Sequence, residues 1–158
     1  MPIDINEILN QTRGKNFDLF EKHINPVLAK VLRITGFNRS WIRGEGSYLW
    51  DESGTRYLDF LTNWGVFNVG RRHPTIRNAL QQVLDSDFPG WIGLDAPPLA
   101  GVLARELTKR TPGNLDIVYF CNSGTEAVEA AIKVARASTG RPCSVHLAKA
   151  VHGLTTGA

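Results

Sequence analysis

Apolar residues recur at helical spacing over the first forty positions, with Phe17, Phe20, Ile24, Leu28, Val31 and Leu32 on one stripe. Pro26 falls inside that stripe and predicts a break or kink, and Gly36 ends it. The period then shortens. Tyr48-Leu49-Trp50 and Tyr57-Leu58-Asp59-Phe60 read as two strands, joined by a turn over Asp51-Glu52-Ser53-Gly54. After His73-Pro74, residues Ile76, Ala79, Leu80, Val83 and Leu84 fall at i, i+3, i+4, i+7 and i+8, which predicts an amphipathic helix with Pro74 near its first turn. Phe88 to Pro98, with Gly90, Gly93 and two adjacent prolines, reads as a loop. Leu99, Val102, Leu103 and Leu107 predict a further helix, closed by Pro112-Gly113.

Ile117-Val118-Tyr119-Phe120-Cys121 is a continuous apolar run, the pattern of a strand buried on both faces. It leads through Asn122-Ser123-Gly124-Thr125 into a helix of good formers from Glu126 to Ser138. Gly140 stands where a left-handed residue is wanted, and Cys143 to Leu147 reads as another short strand. From residue 74 onward the order is helix, helix, strand, helix, strand. That order predicts the opening of an α/β domain with helices on a mainly parallel sheet.

Composition adds limits. The chain of 158 residues is 42% hydrophobic and 21% charged, as expected of a globular protein with one ordinary core. No uninterrupted apolar stretch approaches a membrane span. The start, Met1-Pro2-Ile3-Asp4-Ile5-Asn6-Glu7, lacks the pattern of a signal peptide, so a cytoplasmic protein is expected. The formal charge of +3, with no basic run interleaved with aromatics, gives no ground for a nucleic-acid partner. Cys121 and Cys143 make neither a disulfide framework nor a metal set, and both sit in apolar runs that predict burial. His23 and His146 have no partners at ligand spacing, so no metal site is expected.

The candidate chemistry lies in the turn before the long helix. Ser123, three residues ahead of Glu126, fits a capping box, and Gly124 serves a tight turn. The same geometry suits an anion: a small-residue turn at a helix N-terminus exposes backbone N–H groups where the dipole favours negative charge. Ser123 and Thr125 add hydroxyl donors. The turn is neither a P-loop nor a dinucleotide fingerprint. Gly44-Glu45-Gly46 has Leu49 where a third glycine is needed, and no apolar strand is read ahead of it.

Asn122 through Arg136, followed by Thr139-Gly140-Arg141, resembles the cofactor-phosphate segment of class III pyridoxal-phosphate (PLP) aminotransferases, such as the ornithine, acetylornithine and omega-amino-acid enzymes. Gly46 to Asp51 and Gly54 to Phe60 resemble the family's N-terminal hairpin, Asn68 to Pro74 the segment after it, and His152 to Ala158 its His-Gly segment. These matches run in the family's order over roughly residues 44–158.

The resemblance implies a fold-type-I PLP-dependent transferase, with residues 1–70 as an N-terminal arm and hairpin of the small domain. Residues 71–158 would begin the large PLP-binding domain. It implies a homodimer, an amino donor and a keto-acid acceptor. Ser123, Gly124 and Thr125 would hold the cofactor phosphate, with Val151 and His152 beside the pyridine ring.

The position before His152 is aromatic in the family, whereas Val151 can pack on a ring but cannot stack. The aspartate for the pyridine nitrogen and the Schiff-base lysine belong to segments beyond Ala158. None of Lys15, Lys22, Lys30, Lys109, Lys133 and Lys149 takes that lysine's position, Lys149 preceding the ring-stacking residue. No catalytic residue is therefore expected within these 158. Trp64 lies where the family places residues near substrate, but reads first as packing, and His73 as a structural turn residue. The 88–98 loop would reach a partner subunit. The competing expectations are an isomerase or decarboxylase on the same scaffold, and a non-enzymatic remnant or dimerisation fragment.

Overall fold

The computed structural model describes residues 3–90 and 93–158. Met1 and Pro2, which open the leader reading, and Trp91 and Ile92 of the expected 88–98 loop lie outside the described residues. The chain forms two compact units, Met1–Phe88 and Pro89–Ala158.

The first unit opens with three short helices, α1 (Ile5–Thr12), α2 (Asn16–His23) and α3 (Pro26–Ile34). Gly14 separates the first two at φ +73°. Pro26 starts α3 as its first residue, where a missing N–H costs nothing, and the Asn25 side chain caps the helix by accepting from Leu28 N–H at 2.9 Å. Arg33 ties α3 back to α2 through Glu21 and Asp18. Gly36, at φ +81°, ends the run as expected.

Three strands follow in the order β1 (Trp41–Glu45), β2 (Tyr48–Asp51) and β3 (Arg56–Leu58), all antiparallel. β2 and β3 lie where the sequence predicts strands, whereas β1 has no strand pattern in the sequence. A strand does run into Gly44-Glu45-Gly46, but it turns into β2 and not into a helix, so the turn remains unlike a dinucleotide fingerprint. Gly46, at φ +54°, makes the two-residue turn to β2. The β2–β3 turn is organised by Asp51, whose Oδ1 accepts from Ser53 N–H, Ser53 Oγ–H and Thr55 N–H, while Oδ2 accepts from Tyr57 O–H.

Arg71 then bridges back to Gly46 through two backbone hydrogen bonds of 3.0 and 2.8 Å. Before it lies a single turn, α4 (Thr62–Gly65), whose four residues all have positive φ. Trp64 stands 85% exposed there, so it fills no core among the described residues. α5 (Pro74–Leu84) closes the unit.

The second unit holds α6 (Pro98–Thr108) and α7 (Gly124–Thr139), both at the expected places. Its two expected strands are absent: neither 117–121 nor 143–147 forms a ladder among the described residues. An apolar run becomes a strand only when neighbours satisfy its backbone and cover its faces, and here Ile117 is 89% and Val145 101% exposed. Cys121 and Cys143, predicted buried, are exposed for the same reason. No helix of the described residues is long and apolar enough to cross a membrane.

Candidate functional site

The long helix α7 starts where the sequence places it, and its first turn is built by side chains. Ser123 is the N-cap in extended conformation, and its Oγ accepts from Glu126 N–H at 3.2 Å. The Glu126 carboxylate reaches back, but one residue further than the capping box requires, accepting from Asn122 N–H at 2.6 Å. Two of the donors around the turn are thereby satisfied internally. Gly140 ends the helix at φ +67°, as the sequence predicts.

The Gly124 and Thr125 N–H groups have no acceptor among the described residues. A Cβ built on Gly124 meets nothing within 4 Å, so the space over this backbone is open. An oxyanion can approach both N–H groups at the positive end of a helix of 16 residues. Such charge-assisted hydrogen bonds contribute about 1.5–3 kcal/mol each.

The segment carrying Val151 and His152 comes to the same helix end. Leu154 N–H donates to Thr125 Oγ1 at 3.3 Å, which leaves the Thr125 hydroxyl proton free to donate elsewhere. Gly153 lies so close that an added Cβ would stand 2.9 Å from Thr125 Cγ2 and 3.0 Å from Thr125 Oγ1. One turn further along α7, Gly157 lies against the Glu129 carboxylate. No local sequence pattern marks Gly153 or Gly157 for this contact.

The expected ring-holding residues are less engaged. Val151 is 82% exposed, and the His152 ring meets His146 edge-on at 5.8 Å. Lys149 sits in a turn at φ +64°. The residues present thus fit the phosphate of PLP by two free N–H groups and an open glycine, while an aromatic platform for the ring is lacking at position 151.

Residues 35–158 match the family model described as aminotransferase class-III. The chain is 37% identical over 147 residues to aminotransferase PigE of a Serratia species, covering 92% of this chain and 17% of that protein. It is 38% identical over 117 residues to glutamate-1-semialdehyde 2,1-aminomutase of Thermus thermophilus, covering 73% of this chain and 26% of the relative. Among solved structures it is similar to an omega-transaminase from Sphaerobacter thermophilus, with a TM-score of 0.63, 36% identity, and coverage of 74% of this chain and 26% of that one. The chain therefore spans about a sixth to a quarter of the length of these relatives.

Proposed function

The chain belongs to the class III aminotransferases, a fold-type-I family, and from that premise we propose that its Ser123–Thr125 turn holds the phosphate of PLP. The pair of acceptor-less N–H groups on Gly124 and Thr125, under open space at the start of α7, carries this reading.

When bound, PLP supplies the carbonyl and electron-withdrawing ring on which amino-group transfer between an amine or amino acid and a keto acid runs. The chain's own residues bind and orient. Gly124 and Thr125 N–H donate to the phosphate, while the Ser123 hydroxyl, accepting from Glu126 N–H, and the Glu126 carboxylate, accepting from Asn122 N–H, keep the turn in shape. The Thr125 hydroxyl both accepts from Leu154 and retains a proton to donate. Val151 would offer apolar contact to the ring, and His152 a polar edge beside it.

We assign residues 1–70 to the small domain and 71–158 to the beginning of the PLP-binding domain. A homodimer in the cytoplasm is proposed for the enzyme of which this chain supplies the phosphate end. No lysine among the six is assigned to the cofactor, so the 158-residue chain alone is expected to lack transaminase turnover. An isomerase on the same scaffold is a second reading, supported by the 38% identity to an aminomutase.

The test is the phosphorus resonance of PLP titrated with the chain. A saturable shift is expected. Gly124→Val should weaken it about tenfold or more by filling the cradle. Because the added side chain meets nothing in the chain, helix content should not change. Equal binding by Gly124→Val would refute the assignment.

A further inference from the structure

The first unit carries positive charge that the phosphate turn does not use. A cleft of about 670 Å³ is lined by Arg43, Glu45, Arg72, Arg77, Asn78 and Gln81, beside the start of α5. Three guanidinium groups face one carboxylate. Arg43 is already committed: it pairs with Glu45 and lies over the Trp50 ring at 4.4 Å. Arg72 and Arg77 have no acidic partner among the described residues. The cleft therefore presents two uncompensated positive charges to solvent.

The placement of Arg72 is set by the backbone. It follows the Gly46–Arg71 bridge and adopts φ +54°, a left-handed conformation that a long side chain rarely takes. Close to it, the Glu45 carboxyl is held below the usual carboxylate range by the hydrogen bond and charge of Arg43, with Arg72 adding to the effect. Glu45 is thus ionised at neutral pH, and Arg43 satisfies it, leaving Arg72 and Arg77 for another anion. A guanidinium fork matches a carboxylate or a phosphate two oxygens at a time, and the cleft falls within the roughly 300–1,000 Å³ of small-ligand sites. A bare inorganic ion would leave most of that space empty.

We infer that this cleft binds a small organic dianion, a phosphate monoester or a dicarboxylate, with Arg72 and Arg77 as charge partners and Asn78 as a neutral donor, Gln81 already donating to Asp85. This inference is independent of the PLP reading, because its residues lie on β1 and around α5, away in sequence from the 123–125 turn.

The test is a site-resolved titration of the nitrogen-15-labelled 158-residue chain at low ionic strength, with glycerol 2-phosphate in one arm and succinate in the other. Saturable amide shifts at Arg72, Arg77, Asn78 and Gln81 are expected, and the arm with the lower midpoint identifies the anion class. Arg77→Gln alone, and with Arg72→Asn, should raise the midpoint about tenfold or more. Asparagine tolerates the left-handed backbone and glutamine keeps the helix, so the spectra of the variants report on binding and not on folding. Gly124→Val should leave these shifts unchanged, separating this site from the phosphate turn. Shifts that stay linear in both arms, or that survive in the double variant with the same midpoint, would overturn the inference.

Discussion

The Asp59 carboxylate accepts from Thr62 N–H at 2.9 Å and from Arg71 Nε–H at 2.8 Å, fastening the residues after β3 to the Gly46–Arg71 bridge. Burial pushes this carboxyl up, but the Thr62 and Leu61 N–H groups and the bond and charge of Arg71 bring it below its ordinary value. A carboxyl depressed in the folded state stabilises above its unfolded pKa, about 3.9, and that contribution is lost as pH falls through the lower folded value. Urea unfolding of the first unit should therefore be insensitive to this group between about pH 5 and 7, and weaken below about pH 4. Asp59→Asn should flatten that acid limb. Identical acid limbs in the two proteins would contradict the assignment.

At this scale Ser123 and Gly140 were legible in the sequence, because each acts on a local backbone geometry. The fit of Gly153 against Thr125 was not, since it depends on residues 29 apart meeting, as Leu154 and Thr125 do. The arginine cleft was not legible either: its cations come from a strand, a turn and a helix, and no linear run announces them.

Among the elements, α7 depends most visibly on its cap. Ser123→Ala removes the acceptor for Glu126 N–H and should destabilise the helix by about 1 kcal/mol, with the deficit concentrated in its first turn. Amide exchange resolved by residue measures this; unchanged protection at Ala127 and Val128 would count against the cap. Helices were readable because their stripes and caps are local. β1 was not, because Arg43, Gly44 and Glu45 interrupt any apolar alternation, and its strand state comes from pairing Glu45 with Tyr48 and Gly44 with Leu49. The opposite error at 117–121 has the same origin: the sequence carries a strand's apolar content, while the ladder needs partners that the described residues do not offer.

At the scale of the whole chain, little of what is described is buried. Ala29 is the one buried apolar residue among those described, whereas Leu80, Leu103, Tyr119 and Val134 are all exposed. Apolar surface of that extent is uncommon on monomers, and hydrophobic burial is the main favourable term in folding. The isolated chain should unfold over a broad urea range, with a slope below about 1 kcal/mol/M, and bind an apolar dye strongly. A steep cooperative transition from a monodisperse monomer would contradict this. Family and fold were legible because four ordered motifs survive in sequence; the missing interior was not, because burial belongs to neighbours and not to the run itself.

On the function proposed above, this chain holds the phosphate end of the cofactor and no amine that anchors it. The most direct test is the absorbance of the purified chain mixed with PLP, before and after borohydride reduction, followed by mapping of any fixed label. Free-aldehyde absorbance is expected, with no lysine labelled in preference to the others. A reducible band that maps to one lysine, Lys149 included, would contradict it and put a working cofactor site within these 158 residues.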